Sequence, residues 1–567
     1  MDAAAPAIDR QDRAPVAGTT VAQVVGHALG ALGVDTVFGL IGSGNAVATN
    51  ALVAAGARYF AARHEAGATG MADGWARTTG RVGVVSVHQG PGLTNTLTAL
   101  TEAVKSRTPL VVLAGETPAG ARRSNFRIDQ HGLVEAVGAV ADRVHGPASA
   151  AADAARALRR AEVERRPVVL MLPIDLQTLP VPDGGRLLPP WSSIPATPAP
   201  RPAAVAEAAE ILRDAQRPLL IGGRGAVLAD AGPDIAALAA RAGALLATSA
   251  VAKGLFAGDP FDLGISGGFA SPVAAELIAA ADVVISFGAT LNHWTTRHRE
   301  LIGDGTRVVQ VDLDPDAIGA NLPVALGIVG DTALTAQALL AQLERGGDAP
   351  AGWRTPELAP RIARGHWRHE PYAEQSTAEH IDPRTLGIAL ADALGGEVAV
   401  AVDSGHFQGY PSFYLDVPDA RSWLFINAFQ AVGLALGPAI GGAVARPDRV
   451  MVAVLGDGGA FLSLAEIETA ARFGVRLLVA VYDDAAYGAE VHHFGPMGED
   501  LAPVRFPDAD LARIARAAGA AGMTVRSIAD LGPLHDWLRN GSGPMVLDAK
   551  VNPAVCADWL TEAFRAG

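Results

Sequence analysis

The sequence predicts an α/β protein built from three doubly wound parallel sheets. Short apolar runs such as TVFGL, VGVVSV and RVMVAVL alternate with alanine-rich stretches of helical length along all 567 residues. Continuous apolar runs that end at Gly, Asp or Pro are typical of strands buried on both faces, and their alternation with helices indicates parallel sheets. Such sheets bind ligands at the carboxyl ends of their strands.

Two proline-bearing segments predict the domain boundaries. Residues 179–204 are dense in proline, and residues 345–377 are polar with scattered prolines, so neither is expected to form regular structure. The polar, Ala/Pro-rich residues 1–18 are expected to be a disordered N-terminus and not a secretory signal. The predicted domains are a first domain at 19–185, a central Rossmann-like domain at 200–345 and a third domain at 378–560.

The composition excludes several classes of protein. The net charge is −14 and no basic stripe occurs, so nucleic acid is not an expected partner. No apolar run reaches the ~20 residues that span a membrane. Cys556 is the only cysteine, which excludes an intrachain disulfide and a thiolate metal cage. We therefore expect a large cytoplasmic enzyme.

Acidic residues follow two neighbouring predicted strands of the third domain. The turn GDGG, residues 456–459, joins the run RVMVAVL to a predicted helix, and Asp483 and Asp484 follow the run VRLLVAVY. Both turns leave a parallel sheet at the same edge, so Asp457 and Asp484 can meet there. Carboxylate oxygens are ligands that Mg²⁺ prefers, and glycines at a helix N-terminus admit a phosphate group. The pattern indicates a site for a metal ion and a diphosphate.

This spacing resembles the signature of thiamine diphosphate (ThDP) enzymes, in which Gly-Asp-Gly is followed one strand later by Asn-Asn. By that resemblance Asp457 and Asp484 bind Mg²⁺ through their side chains and Ala486 binds it through its backbone carbonyl. This chain has Asp-Asp where the family has Asn-Asn, which adds a negative charge beside the diphosphate. The resemblance implies further cofactor contacts at Gly456, Gly458, Gly459, Tyr487 and Gly488.

The first domain carries three motifs of the same family in the family's order. VFGLIGSGN, RHEAGATGMADGWAR and VSVHQGPGLTN resemble its first glycine loop, its glutamate helix and its Gly-Pro-Gly-x-x-Asn loop. The resemblance implies that Glu65 hydrogen-bonds N1′ of the cofactor's aminopyrimidine ring and so promotes removal of the thiazolium C2 proton. In such enzymes this glutamate meets the diphosphate site of another subunit, which implies a homodimer or homotetramer.

The remaining segments resemble the same family. DSGHFQG (403–409) is similar to a segment that contacts the diphosphate, which implicates Gly405, His406 and Phe407. Residues 427–443 resemble the segment that supplies an apolar wedge under the cofactor, and Val432 matches that wedge. The central domain ends in DLDPDAIG, like that of acetolactate synthases. Its GGRGA segment lacks the full dinucleotide spacing, so FAD binding is left open.

The residues that match the substrate pocket point in two directions. Ser43 and His88 match positions where benzoylformate decarboxylase also has Ser and His, a pair suited to binding a 2-oxo acid carboxylate or moving a proton. Gln130 matches a glutamine that relatives place near the pocket. Glu490 and His493 follow Asp484 and Ala486 on a helix that lines the pocket in relatives. A charge there indicates a polar or cationic substrate, or an additional acid/base group. Alternatively, both face solvent or a subunit interface.

The leading prediction is a ThDP- and Mg²⁺-dependent carboligase that resembles acetolactate synthase and joins a 2-oxo acid to a carbonyl acceptor. The alternative is a benzoylformate-type decarboxylase of 2-oxo acids, which differs only in the last step. Two other classes stay open. A non-catalytic binding protein with the ThDP fold is suggested by Asp-Asp, and a nicotinamide oxidoreductase is disfavoured by the incomplete glycine motif.

Overall fold

The computed structural model of the protein describes residues 19–182, 197–347 and 352–563. Within these ranges the strands form three six-stranded sheets, and all strand pairs in them are parallel. The predicted fold class is therefore confirmed. The predicted N-terminal disorder at 1–18 and residues 183–196 of the first predicted linker lie outside the described residues.

The first sheet belongs to a compact unit whose described residues are 19–72 and 82–182. Its strands are β1 Thr36–Gly39, β2 Arg58–Ala61, β3 Gly83–Val87, β4 Leu110–Glu116, β5 Val140–Arg143 and β6 Val168–Pro173. The helices that accompany them are α1 Val21–Ala31, α2 Ala46–Ala54, α3 Glu65–Thr79, α4 Pro91–Thr94, α5 Leu97–Lys105, α6 Gln130–Ala136, α7 Ala150–Glu164 and α8 Ile174–Gln177. The strand order is β2-β1-β3-β4-β6-β5. Because β2 and β3 flank β1, the chain reverses direction across the sheet between β1 and β3, where doubly wound sheets bind ligands.

The second compact unit, whose described residues are 73–81, 197–347 and 352–563, contains the other two sheets. The strands of the central sheet are β7 Pro218–Gly222, β8 Leu245–Thr248, β9 Asp262–Ile265, β10 Val283–Phe287, β11 Arg307–Asp312 and β12 Leu326–Val329. Its helices are α9 Pro202–Asp214, α10 Arg224–Leu228, α11 Gly232–Ala242, α12 Pro272–Ala279, α13 His293–Thr296 and α14 Thr332–Arg345. The order β12-β11-β10-β7-β8-β9 is that of dinucleotide-binding domains. The predicted Rossmann-like sheet is thus present.

The third sheet repeats the strand order of the first. Its strands are β13 Ala399–Val402, β14 Trp423–Phe425, β15 Met451–Gly456, β16 Leu477–Asp483, β17 Ala521–Val525 and β18 Met545–Lys550, in the order β14-β13-β15-β16-β18-β17. The helices from α15 onward are α15 Leu358–Arg364, α16 Pro383–Leu394, α17 Gly409–Tyr414, α18 Leu436–Ala445, α19 Asp457–Ser463, α20 Glu466–Arg472, α21 Gly488–Phe494, α22 Leu511–Ala517, α23 Gly532–Asn540 and α24 Asp558–Ala563. Its ligand-binding edge is therefore expected between β13 and β15.

Interior strands are buried on both faces, as their apolar runs predict. All residues of β3 and β16 are buried, and each sheet packs against its own cluster of apolar side chains. Burial of apolar surface stabilises such cores by about 25 cal/mol per Å². The ends of these strands are therefore fixed positions from which loops can present functional groups.

The second predicted linker contains regular structure, contrary to the sequence-based expectation. Helix α15 lies inside residues 345–377, and its Leu358 is buried in the apolar cluster that also contacts Ile362. Tertiary packing therefore forms a helix where local composition predicted none. The predicted helix FLSLAEIETAARF is likewise two helices, α19 and α20. None of the helices in the described ranges is long and apolar enough to cross a membrane.

Candidate active site

The first sheet presents its predicted functional residues on the loops that follow β1, β2 and β3. Ser43 lies in the turn after β1, Glu65 begins α3 after β2, and His88 follows β3 directly. These three strands are neighbours, with β1 in the middle. Residues that are separated in the sequence are thereby brought to one edge of the sheet.

Glu65 is oriented by a side chain from the glycine loop. Asn95 Nδ2 donates a hydrogen bond of 2.9 Å to Glu65 Oε2. The other carboxylate oxygen, Oε1, lies 3.7 Å from the position of a Cβ built on Gly92. One oxygen of Glu65 is therefore held by the protein, and the half-buried carboxylate is fixed at the head of a helix. The sequence analysis quoted Asn95 within a motif but gave it no role.

His88 is held in one tautomer. Its Nδ1 atom accepts a hydrogen bond of 3.0 Å from the Gly44 backbone N–H. A neutral ring that accepts at Nδ1 carries its hydrogen at Nε2. Burial lowers the pKa of His88, and the nearby Glu65 carboxylate opposes that shift. The ring of Phe126 packs edge-on against it, with the ring centroids 5.1 Å apart.

The loop that carries Ser43 is fixed by Asn45, which sequence reasoning did not single out. Asn45 Oδ1 accepts from the Gly42 N–H at 2.8 Å, and Asn45 Nδ2 donates to the Leu40 carbonyl and to Ser86 Oγ. Ser43 itself is exposed at the tip of this turn. The turn therefore places the Ser43 hydroxyl in the open while its neighbours contact His88.

Gln130 links the loop after β3 to the end of β4. Its Oε1 atom accepts from the Gly90 N–H at 2.9 Å, and its Nε2 atom donates to the Gly115 carbonyl at 3.0 Å. The side chain is only 3% exposed. Both ends of the amide are thus engaged with backbone, and the contact of Gln130 with a substrate stays a prediction.

In the third sheet two carboxylates converge where β15 and β16 end. Gly456, the last residue of β15, pairs with Tyr482 of β16, so Asp457 and Asp484 follow at the same edge. Burial raises the pKa of both carboxyl groups, and repulsion from neighbouring aspartates adds to the shift. The Oδ1 atom of Asp457 is buried without a hydrogen-bond partner among the described residues. Such an arrangement requires protons or a bound cation.

The two adjacent aspartates have different surroundings. Asp483 forms a buried ion pair with Lys550 Nζ at 2.6 Å, and its Oδ1 atom accepts from the Ala485 N–H. Asp484 instead lies beside Asp457 and contributes to the electrostatics of that group. Of the pair Asp-Asp, therefore, Asp483 is paired with a lysine, whereas Asp484 lies beside Asp457 and His406 with its side chain only 5% exposed.

Glycines keep the space beside these carboxylates clear. A Cβ on Gly488 would lie 2.2 Å from Asp484 Oδ2 and 2.4 Å from the His406 ring. A Cβ on Gly458 would lie 2.4 Å from the ring of Tyr487. Larger residues would therefore displace the side chains that surround the two aspartates.

His406 and His492 form a neutral pair next to Asp484. Their ring centroids lie 5.1 Å apart, and His406 Nε2 is 3.8 Å from Asp484 Oδ2. Burial lowers the pKa of His406 to about 3 and also lowers that of His492. His492 Nε2 is buried without a hydrogen-bond partner in the described part of the chain. The sequence analysis selected His493, whose ring packs on Phe494, and gave His492 no role.

Glu490 is exposed on α21, and none of the described cationic groups forms an ion pair with it. Its backbone N–H donates to the Tyr487 carbonyl, which links α21 to the loop that carries Asp484 and Ala486. The structure therefore leaves this carboxylate available to a ligand or to solvent.

The other predicted cofactor contacts surround the same strand ends. Gly405, His406 and Phe407 follow β13, and Gly459 lies in the first turn of α19. Ala486 is 8% exposed, and the backbone on either side of it pairs with residues 504–506. Val432 is 39% exposed on the loop after β14, where an apolar side chain can contact a ligand.

These residues fit a metal ion and a diphosphate. The two convergent carboxylates supply oxygen ligands, and the unpartnered Asp457 Oδ1 lacks the contact that a divalent cation would provide. The glycines of the turn between β15 and α19 let Tyr487 and Asp403 approach its backbone closely, and diphosphate binding at this turn stays a prediction. Asp457, Asp484 and Ala486 are thus the groups that would hold the metal.

At the switch point of the central sheet, the loops after β7 and β10 contact each other, since the Gly225 N–H donates to the Gly288 carbonyl at 3.0 Å. A Cβ on Gly223 would lie 2.4 Å from the same carbonyl oxygen. FAD binding at this position stays a prediction.

Comparison with protein-family models gives three matches along the chain. Residues 19–142 match the N-terminal ThDP-binding domain of thiamine pyrophosphate enzymes, residues 205–339 match their central domain, and residues 403–549 match their C-terminal ThDP-binding domain.

Curated relatives carry several different activities. A probable 2-ketoarginine decarboxylase of Pseudomonas aeruginosa is 32% identical over 92% of this chain and 92% of the relative. A sulfoacetaldehyde acetyltransferase of Rhodobacter capsulatus is 30% identical over 88% of each chain. An acetolactate synthase large subunit of Parasynechococcus marenigrum is 29% identical over 80% of this chain and 74% of the relative.

Proposed function

The chain belongs to the thiamine pyrophosphate enzymes, and from this premise we propose that it is a Mg²⁺-dependent carboligase that uses a 2-oxo acid as donor and a second carbonyl compound as acceptor. When bound, ThDP supplies the carbon nucleophile and accepts the electron pair that the leaving carboxylate releases. The chain's own residues bind the cofactor, orient the substrate and move protons.

The observation that carries this proposal is the orientation of Glu65. Asn95 holds Oε2, so Oε1 is the oxygen that can receive a hydrogen from the cofactor's pyrimidine ring. A carboxylate fixed in this way is a positioned general acid–base group, which contributes about 10²–10⁴-fold to rate. A solvated surface glutamate would not be held by the asparagine of a neighbouring loop.

The metal end is assigned to Asp457, Asp484 and the Ala486 carbonyl. Burial raises the pKa of both carboxyl groups, and the charges of Asp484 and Asp483 add to the shift of Asp457. A hard divalent cation held by both groups would stabilise their ionised forms. The same cation would bind the diphosphate, whose oxygens approach the glycine-lined turn before α19. The metal therefore allows an anionic cofactor to bind beside two buried acids.

Proton handling is assigned to His88 and Ser43. The neutral His88 ring presents an Nε2–H donor, because Nδ1 is occupied by the Gly44 N–H. This donor suits the carboxylate of a 2-oxo acid or the oxygen of an acceptor carbonyl. It would equally deliver the proton that completes a simple decarboxylation, so His88 favours the decarboxylase as the second candidate function.

Glu490 indicates which class of 2-oxo acid to test as the donor. Glu490 is a carboxylate on α21 that pairs with none of the described cationic side chains, which favours a substrate with a guanidinium or ammonium group. A 32% identical relative is named as a probable 2-ketoarginine decarboxylase, which supports including such donors. We expect Glu490→Gln to raise KM about tenfold for a cationic donor, and to leave KM for a neutral donor unchanged. An equal change for both donors would remove Glu490 from the substrate site.

The experiment that tests the function measures turnover directly. Purified protein with ThDP and Mg²⁺ is incubated with neutral, cationic and anionic 2-oxo acids, with and without aldehyde or ketone acceptors. CO₂ release is followed, and products are identified by mass spectrometry. A hydroxyketone product assigns the carboligase, and an aldehyde alone assigns the decarboxylase.

Two variants control the experiment. Glu65→Gln is expected to lower CO₂ release at least about 100-fold. Glu164→Gln, a change in an exposed pair with Arg160 of the same domain, is expected to leave it unchanged. Full activity of Glu65→Gln, or ThDP binding without turnover of any donor by the unmodified chain, would contradict the proposed reaction.

A further inference from the structure

Asp403 is a fully buried carboxylate that no step of the proposed reaction uses. It follows β13 directly and is 0% exposed. Among the described residues no Lys, Arg or His forms an ion pair with it. Complete burial raises the pKa of Asp403 to about 7, while the backbone hydrogen bonds that it accepts oppose this shift. A carboxyl group in such a place is costly unless its oxygens are satisfied.

Its oxygens are satisfied by the backbone of one loop. Oδ2 accepts from the Gly433 N–H at 2.8 Å, and Oδ1 accepts from the N–H groups of Leu434 and Ala435 at 3.1 and 3.3 Å. Three consecutive amides thus point at one side chain. The carboxylate therefore fixes the course of the chain just before α18.

Val432 immediately precedes these three amides. The loop before it contains Gln430 with a positive φ of 58°, and Gly433 after it has a φ of 85°. Residues other than glycine adopt positive φ only at a cost, so this loop needs external contacts to keep its shape. Asp403 provides those contacts on the C-terminal side of Val432.

The same carboxylate also meets the start of α19. A Cβ built on Gly459 would lie 2.3 Å from Asp403 Oδ2, 3.4 Å from the Gly433 nitrogen and 3.5 Å from Val432 Cγ1. The first turn of α19, which begins with Asp457, therefore packs against both the carboxylate and Val432. The loops after β13, β14 and β15 meet at Asp403.

We propose that Asp403 is a positioning residue that holds Val432 at a fixed distance from the Asp457 end of α19 and so determines the conformation in which ThDP is bound. This inference rests on the proposed function and on the family resemblance, by which Val432 is expected to support the bound cofactor. Asp403 itself touches neither cofactor nor substrate in this assignment. It acts through Val432, which gives the proposal a specific test.

The test is a double-mutant cycle of Asp403→Asn and Val432→Ala. The Asn amide would direct an N–H group at a backbone N–H, so the loop loses acceptors with little change in volume. Each single variant is expected to lower kcat by about 100-fold, the cost of misplacing a reacting group by about 1 Å. ThDP affinity and KM are expected to stay within about threefold. The near-ultraviolet circular dichroism of the bound aminopyrimidine is expected to decrease in both.

The double variant distinguishes positioning from general damage. If Asp403 acts through Val432, the double variant is no slower than Val432→Ala, whereas independent effects would multiply. Asp382→Asn is the matched control, since Asp382 is also 0% exposed and accepts backbone hydrogen bonds in the same domain. It is expected to lower stability without changing the dichroism of bound ThDP.

The outcomes distinguish failure of the positioning role from failure of the proposed function. Multiplying effects, or an unchanged dichroism in Asp403→Asn, would overturn the positioning role while leaving the proposed function intact. Absence of a ThDP-dependent dichroism or of turnover in the unmodified protein would instead contradict the proposed function. If Asp403→Asn does not fold, Asp403→Ser, which keeps one acceptor oxygen without added bulk, is taken through the same cycle with the same expected result.

Discussion

At the residue scale the chain differs from its family's pattern most clearly at Asp484. The sequence could show that two aspartates stand where the family has asparagines, but it could not show that their environments differ. Lys550 neutralises Asp483, because β18 lies beside β16. Asp484 has no such lysine partner among the described residues, and its charge acts on Asp457 together with that of Asp483. The local sequence gives no information about Lys550, which lies 67 residues after its partner Asp483 in the chain.

This arrangement predicts a pH-dependent effect of the metal on stability. Burial raises the pKa of Asp457 to about 8 from 3.8. Because the folded-state pKa lies above the unfolded value, metal-free folded protein loses stability as pH rises through that window. Mg²⁺ is expected to reverse the loss, so the Tm difference between Mg²⁺ and EDTA samples grows as pH rises toward about 8. Differential scanning fluorimetry measures this difference.

Asp484→Asn provides the matched comparison. It removes one of two repelling carboxylates, so the apparent Tm of metal-free protein should rise by roughly 2–4 °C and the Mg²⁺ effect should depend less on pH. Asp483→Asn should lower Tm instead, because it breaks the ion pair with Lys550. Identical results for the two variants would show that their different surroundings have no energetic consequence.

At the element scale, the position of a strand in its sheet explains whether the sequence pattern identifies it. The apolar runs named above, TVFGL, VGVVSV, RVMVAVL and VRLLVAVY, coincide with the interior strands β1, β3, β15 and β16. The six edge strands were missed, namely β2, β5, β9, β12, β14 and β17. Edge strands are covered on fewer sides, so they lack long apolar runs. In β9 and β12 more exposed residues alternate with more buried ones, which illustrates this difference.

Helix geometry explains why the two histidines of α21 have different surroundings. The sequence predicted a helix after the metal loop, yet it could not assign its faces. Adjacent residues on a helix point about 100° apart, so His492 and His493 cannot share one environment. Which of them meets His406 depends on how α21 packs against the loop after β13, a long-range contact that local sequence does not specify.

Lys550 on β18 is expected to be essential for stability. Its ammonium group contacts Asp483 and Asp508 at 2.6 Å and Asp548 at 3.2 Å. Lys550→Met would leave buried carboxylates without a counter-charge, which costs about 3–5 kcal/mol. Urea denaturation of the apo-protein measures this loss.

Arg539→Met is the control for that measurement. Arg539 pairs with Asp536 on the surface, with 64% and 74% of the two side chains exposed. Its removal should cost about 1 kcal/mol or less. A loss for Lys550→Met as small as this would mean that the buried cluster rearranges or takes up protons without penalty.

At the scale of the whole molecule the sequence predicted three doubly wound sheets but not their strand orders. The first and third sheets share one order, and in each the predicted cofactor residues lie on loops around the switch point. Strand order follows from packing between distant segments, whereas alternation of strands and helices is visible in the chain itself. The residues could thus be nominated from motifs, and their hydrogen-bond partners, such as Asn95, could not.

Association of the chain is also predicted at this scale. Large apolar side chains are exposed around the strand ends of the third sheet, namely Phe429, Phe461, Leu462, Phe494 and Met497. Exposed apolar groups of this density indicate an interaction surface. With the family resemblance, we expect a homodimer or homotetramer whose cofactor sites use residues from two subunits.

Light scattering after size-exclusion chromatography tests this expectation. Leu462 is 65% exposed, and Leu462→Asp should weaken association at least about tenfold, because a charge would be buried at the interface. Ile528→Asp, at a residue 56% exposed elsewhere in the domain, should not. A fully active monomer would contradict an active site shared between subunits.

In the proposed function, Glu65 activates ThDP that Asp457 and Asp484 of another subunit bind through Mg²⁺. The most direct measurement is the rate at which the C2 proton of bound ThDP exchanges with deuterium, followed by NMR after acid quenching. Glu65→Gln is expected to bind ThDP and Mg²⁺ but to exchange about 10²–10⁴-fold more slowly than the unmodified protein. Equal exchange rates in the two proteins, with ThDP bound to both, would contradict the account.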